Sequence, residues 1–308
     1  MKLSIVTTLF MSAEHIKEFC IRAKKVANKV AGNDYEIIIV NDMSPDESLK
    51  IALKMQQADS NITILELSRN FGHQKALMTG LNYCSGSKIF LIDSDLEEQP
   101  EWLLDFEDKI NNENVDIIYG VQSKRKGRFA ERIIGYFYYP IFRLFTGIKQ
   151  PNNIVTARLM TRKYLNALLL HKEYEVNISA LGIITGFNQL HMKVKKTSSS
   201  KTTFTYMMKF KLFLDAITSF SSTPLLLIFY MGILISLSSL LYILYLVFSY
   251  FFILDPPPGY TTIVASIWMF SGLIIFFIGL QGIYISKIFN EVKNRPLTII
   301  KNIYKKKN

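Results

Sequence analysis

Cysteine is scarce: Cys20 and Cys84 are the only two in 308 residues, far apart, so neither a disulfide framework nor a zinc-ligand cluster is available. A reducing compartment fits. Phosphate-binding glycine motifs are missing as well. The first strand pattern runs into Thr7-Thr8-Leu9-Phe10-Met11-Ser12 without glycine, and no G-x-x-x-x-G-K-[ST] occurs, which excludes a Rossmann dehydrogenase and a P-loop NTPase. Serine and cysteine nucleophiles have no evident histidine partner, and His73 and His191 read as local hydrogen-bonding residues, so a hydrolase has no support. Charge is absent from two blocks, Leu225 to Leu254 and Pro256 to Ser286, each longer than the roughly 20 residues that cross a bilayer. Two transmembrane helices, with Asp255 to Tyr260 as a stiff turn, are the expectation. A transporter bundle is excluded.

The net charge of +11 is unevenly placed. Up to residue 192 there are 23 Lys and Arg against 22 Asp and Glu; beyond it, 13 against 3. The excess flanks the apolar blocks, where it attracts anionic lipid and sets orientation, so the lipid bilayer is a partner and nucleic acid is not. The opening Met1 to Val6 enters a strand pattern with no apolar leader region. Both termini and the soluble N-terminal domain are expected in the cytoplasm, at an inner membrane.

Ahead of the apolar blocks, short β-branched runs alternate with helical periodicity. Leu3 to Leu9 is followed by Ile16, Phe19, Cys20, Ala23, Ala27 and Val30 at helical spacing. Tyr35 to Val40, Ile62 to Leu67, Lys88 to Ile92 and Asp116 to Val121 complete five strands, and Ser44-Pro45-Asp46-Glu47 reads as a capped helix start. The fold class is α/β with a mostly parallel sheet covered on both faces. Phe129 to Phe145, rich in aromatics between Arg128, Arg132 and Arg143, is either an interfacial or a core helix; Phe204 to Phe220 favours the interfacial reading. The domain expectation is 1–127 catalytic core, 128–222 acceptor-side region, 223–288 membrane hairpin and 289–308 basic tail.

Acidic residues at strand ends are informative, because ligands of open α/β sheets bind beyond the carboxyl ends of the strands. Asp42 closes the second strand, and the fourth runs into Asp93-Ser94-Asp95-Leu96-Glu97-Glu98. Clustered carboxylates repel each other unless a hard divalent cation offsets them. A carboxylate-bound metal that neutralises a diphosphate points to a nucleotide-sugar.

The segments Ser4 to Thr8, Val40-Asn41-Asp42-Met43-Ser44-Pro45-Asp46, Leu67-Ser68-Arg69-Asn70-Phe71-Gly72-His73-Gln74-Lys75-Ala76, Ile92 to Glu101 and Tyr119-Gly120-Val121 resemble family 2 glycosyltransferases with a GT-A fold. They are most similar to polyprenyl-phosphate glycosyltransferases of the bactoprenol glucosyltransferase and dolichol-phosphate mannose synthase type. The resemblance implies Thr7, Asp42 and Asp93 around uridine, with Arg125 near the donor diphosphate. It implies Asp95 as principal metal ligand with Glu97 beside it, for Mg²⁺ or Mn²⁺. Arg132, Arg158 and Lys201 would hold the acceptor phosphate. Asp93, Asp95 and Arg158 are the catalytic expectation, with a UDP-sugar donor, a polyprenyl phosphate acceptor and self-association into a homo-oligomer as partners.

Three positions depart from the pattern: Met11 replaces the Asn of Y-N-E, leaving Glu14 loosely aligned, Met43 the Gly of D-G-S, and Thr156 the Asp of D-F-R-L. A phosphate acceptor is already ionised at pH 7 and needs no base, so loss of that Asp is tolerable for it. The expected reaction is inverting transfer from a UDP-sugar to undecaprenyl phosphate for cell-surface glycan modification. The alternatives are extension of a glycan through a hydroxyl and a silent nucleotide-sugar binder.

Overall fold

Strands β1 (Leu3–Leu9), β2 (Tyr35–Asn41) and β3 (Ile62–Leu67) are buried at every position. Near-continuous apolar runs have this fate when helices cover both faces of a parallel sheet. In the computed structural model, which describes residues 2–122, 140–197, 214–252 and 259–306, helices α1 (Ile16–Ala31), α2 (Ser48–Ala58), α3 (His73–Tyr83) and α4 (Trp102–Asn112) alternate with β1–β3, β4 (Lys88–Leu91) and β5 (Ile117–Gln122). The α1 face made of Ile16, Phe19, Cys20, Ala23, Val26 and Ala27 is buried, as its spacing requires. The five expected strands are present.

The sheet does not stop there. β6 (Ile154–Thr161), α5 (Arg162–Leu168), α6 (Ile178–Ile184) and β7 (Gln189–Val194) extend it, and β8 (Ile300–Tyr304) closes the far edge, in the order β7-β5-β6-β4-β1-β2-β3-β8. β1 runs parallel to β2 and β4, β2 to β3, and β5 to β7; β6 is antiparallel to β4 and β5, and β8 to β3. Residues placed by sequence in an acceptor-side region and a basic tail thus share the sheet of the core. One compact unit comprises Met1–Pro140, Ile148–Phe204 and Arg295–Asn308.

The helix start expected at Ser44 lies later. Ser44 Oγ donates to Asp46 Oδ1 at 2.6 Å and accepts from Met11 N–H at 2.7 Å. Asp46 accepts from Ser48 N–H at 3.1 Å, so α2 begins there. Burial raises the Asp46 carboxyl, but hydrogen bonds from Ser44, Ser48 and Ala13 outweigh it and bring it to about 2. β8 is fixed through Glu66 of β3, which accepts from Lys301 Nζ at 2.8 Å, Asn302 Nδ2 at 2.8 Å and the Tyr304 hydroxyl at 2.6 Å.

The second unit comprises Ile141–Gly147 and Thr205–Asn294 and includes α7 (Thr223–Phe252) and α8 (Tyr260–Val292). Among the described residues one helix, Met269–Val292, is long and apolar enough to cross a membrane. A second counts only if Leu214–Phe220 and Thr223–Ile235, bent by 85°, form one span. Of the aromatic segment 129–145, only the end is described; there Phe142 is buried against Phe220, ring centroids 6.4 Å apart. The Tyr284 hydroxyl donates to the Ser221 carbonyl at 2.7 Å and Lys287 Nζ to Ser219 Oγ at 2.9 Å, tying α8 to residues 219–221.

Candidate active site

The carboxyl ends of β1, β2 and β4 lie side by side and carry the expected acidic residues. Asp42 is buried, and its carboxylate faces the loop after β3: Oδ1 accepts from Phe71 N–H at 2.7 Å and Oδ2 from Gly72 N–H at 2.9 Å. It therefore shapes the start of α3. Thr7, fully buried on β1, has a hydroxyl with no hydrogen-bond partner among the described residues. Beyond β4, Asp95 Oδ1 accepts from Glu97 N–H at 2.9 Å, folding the acidic turn around Leu96, whose φ of 60° is left-handed.

The turn gathers more charge than its sequence reveals. Glu98 is fully buried; its Oε1 accepts from Thr156 N–H at 2.9 Å and pairs with Lys196 Nζ at 3.1 Å. Asp93 Oδ1 is buried without a hydrogen bond, with His73 Nε2 3.4 Å away, and the other ring nitrogen of His73 meets Thr8 Oγ1 at 3.1 Å. Burial and then the neighbouring Asp95 raise the Asp93 carboxyl to about 6, against the Thr156 hydroxyl, Lys196 and Arg158. Burial and then Asp93 raise Glu98 to about 7, against Lys196. Lys196 is pulled down by burial, but Glu98 and Asp93 carry it above its ordinary value.

Arg158 is buried beside this cluster. Its guanidinium donates to the carbonyls of Thr156 (3.0 Å), Val155 (3.2 Å) and Ile178 (3.4 Å) and to Ser179 Oγ (3.3 Å). Burial lowers its affinity for the proton. Gln74, Thr156, Arg158, Ser179 and Lys196 line a cavity of about 200 Å³. Gln74 Oε1 accepts from Ile178 N–H at 3.1 Å, joining the first turn of α3 to the start of α6.

Among the described residues no three His, Cys, Asp or Glu side chains converge on a metal position. Asp93 and Asp95 offer carboxylates, one with an unbonded buried oxygen, which fits an ion such as Mg²⁺ that takes one or two carboxylates and completes its shell with phosphate and water. A closed, all-protein site does not fit.

Residues 4–169 match Glycosyl transferase family 2. The chain belongs to the family 2 glycosyltransferases. It is 42% identical over 304 residues to a protein described as putative glycosyltransferases from Mycobacterium tuberculosis (strain CDC 1551 / Oshkosh), covering 99% of this chain and 89% of that one. It is 29% identical over 314 residues to the bactoprenol glucosyl transferase of Shigella phage SfII, covering 99% of each. The crystal structure of M. tuberculosis glucosyl-3-phosphoglycerate synthase superposes with a TM-score of 0.51 at 12% identity, over 70% of this chain and 78% of that one, a likeness of GT-A fold.

In this glycosyltransferase the structure brings Asp93, Asp95, Glu97 and Arg158, all expected from the sequence, to one end of the sheet around Glu98 and Lys196. Arg125, Arg132 and Lys201 lie outside the described residues. Glu98, Lys196 and Gln74 were not singled out. Glu98 belongs to the same acidic run, but which carboxylate turns inward is decided by β6 and by Lys196, both distant in sequence. His73, read as a local hydrogen-bonding residue, does bond Thr8 and also faces Asp93. His191 stacks on Tyr119, ring centroids 6.4 Å apart.

Proposed function

We propose that this glycosyltransferase moves a sugar from a UDP-sugar to undecaprenyl or a related polyprenyl phosphate, with inversion, at the cytoplasmic face of a bacterial membrane. The observation that carries the reading is the pairing of an acidic turn with a cavity lined by Arg158 and Lys196. Carboxylates suit a cation shared with a leaving diphosphate, and buried cations suit an anionic acceptor. The identity to a bactoprenol glucosyl transferase over nearly the whole chain supports the acceptor class. Thr7, near the end of β1, and Asp42, just beyond β2, would hold the uridine, and Asp95 with Glu97 would hold Mg²⁺ or Mn²⁺.

An acceptor phosphate oxygen attacks the anomeric carbon opposite the departing UDP, so one C–O bond forms as another breaks. The oxygen is already ionised, and the site supplies positive charge in place of a base. Thr156 fits this: its N–H holds Glu98 and its hydroxyl works against the rise of the Asp93 carboxyl, where a carboxylate would add a third buried acid to the pair. With four hydrogen bonds spent on protein groups, Arg158 contributes charge and rigidity more than a two-pronged phosphate contact. A bound divalent ion would neutralise the diphosphate as it leaves. Arg125, Arg132 and Lys201 complete the proposed phosphate contacts. Helices α7 and α8 would form a hairpin with both ends in the cytoplasm, holding the site at headgroup depth.

The test is UDP release from UDP-sugars in the presence of undecaprenyl phosphate vesicles. Release requires the lipid phosphate, and it is lost in EDTA and in Asp95→Ala. Full activity of Asp95→Ala or in EDTA refutes the metal assignment; transfer to a glycan hydroxyl without lipid phosphate refutes the acceptor.

A further inference from the structure

The chain leaving β7 closes over the acidic turn. Lys196 Nζ lies 3.1 Å from Glu98 Oε1 and 3.7 Å from Glu97 Oε2. The next residue, Thr197, donates its N–H to the Glu97 carbonyl at 3.1 Å and its hydroxyl to the Leu96 carbonyl at 2.9 Å. Four contacts from two residues thus grip the turn at successive positions. The turn needs gripping: Leu96 keeps a left-handed backbone, which a non-glycine residue holds only where its surroundings determine it. Lys193 and Lys195 are exposed, whereas the Lys196 side chain is only 21% exposed and points inward.

We propose that Lys196 is a positioning residue for the donor. By neutralising the buried Glu98 and steadying Glu97, it holds the turn in the shape that presents Asp93 and Asp95 to the diphosphate. The inference rests on the donor reading above. Without the ammonium, Glu98 is a buried carboxylate beside Asp93 with one backbone N–H for compensation, a state relieved by moving the turn. Lys196 acts through Glu98, so removing both charges leaves less to relieve than removing the cation alone.

The experiment compares Lys196→Met, Lys196→Arg, Glu98→Gln and the Lys196→Met/Glu98→Gln pair in the full-length protein in lipid nanodiscs. Hydrogen exchange of the ligand-free protein reads the turn itself. Exchange at Leu96–Glu98 is expected to quicken about tenfold in Lys196→Met and to recover in Lys196→Arg and in the double variant. Calorimetric affinity for UDP with Mg²⁺ is expected to fall about tenfold in Lys196→Met, with the donor KM rising in parallel and kcat changing less, and to recover in the same two variants. Unchanged exchange and UDP affinity in Lys196→Met overturn the proposal. A double variant as weak as Lys196→Met overturns it too, because Lys196 would then touch the donor directly. If the wild type binds no UDP, the donor reading fails while the exchange data still decide the role of Lys196 in the turn.

Discussion

Asp42→Asn isolates one contact of the site. The Asp42 carboxylate accepts from two successive backbone N–H groups, Phe71 at 2.7 Å and Gly72 at 2.9 Å. A hydrogen bond to a charged group contributes about 1.5–3 kcal/mol. An asparagine keeps one acceptor and turns an NH₂ toward the other N–H, so one bond is lost and two donors face each other in a buried place. The loop is then about 3 kcal/mol less well held, a factor of about 100 in its opening equilibrium. Gly72 is the residue before α3, with φ of 96°, and its carbonyl accepts the Ala76 N–H at 3.1 Å, so the disturbance reaches the first turn of that helix. Hydrogen exchange is the assay: the Phe71 and Gly72 amides should exchange about 100-fold faster, while β1 and β2 keep their protection. Unchanged protection at these two amides, or equal loss throughout β1 and β2, refutes the reasoning.

Two further outcomes concern the sheet, one at its β8 edge and one beside the central strand β1. Burial raises the Glu66 carboxyl, but hydrogen bonds from Lys301, Tyr304 and Asn302 bring it to about 2. Because the folded value is depressed, its support of β8 is complete above the ordinary carboxyl range and is lost as pH falls through about 2. A nitroxide on Ile303→Cys should stay immobile at pH 5 and become mobile toward pH 2 by EPR line shape, and Glu66→Gln should mobilise it already at pH 7. Gly86→Ala should destabilise the catalytic unit by about 1–3 kcal/mol, since the added carbon would sit 2.6 Å from Ser4 N and 2.8 Å from Leu3 C, backbone atoms that cannot swing away. Gly272→Ala, with nothing within 4 Å, is the neutral control in the same thermal melt.

The parts of the fold legible in the sequence are those with local causes. β1–β3 announce themselves as near-continuous apolar, β-branched runs, and α1 by the spacing of Phe19, Ala23 and Ala27. β7 and β8 do not: both are edge strands of mixed residues, β7 half-buried and β8 largely exposed, and β8 is specified by a partner 235 residues away in Glu66. At the site, the clustered acids were visible because they are consecutive, whereas the Lys196 pair depends on two strands converging. Met11 and Met43 show a different limit. Both take left-handed backbone, φ 52° and 53°, at positions where the resembling family carries Asn and Gly, the residue types that adopt it most cheaply. The substitutions looked like losses of function-bearing groups, but a backbone requirement accounts for the family residues there.

The pairing of β8 with β3 has a consequence for synthesis. At translation rates of about 5–20 residues per second, the β3 edge waits roughly 10–50 s for the strand that covers it, while the apolar helices between them are being made. During that interval an open strand edge faces the crowded cell and can recruit stray strands. β8 therefore acts as a maturation step: the sheet of the catalytic unit is complete only after helices α7 and α8 have left the ribosome.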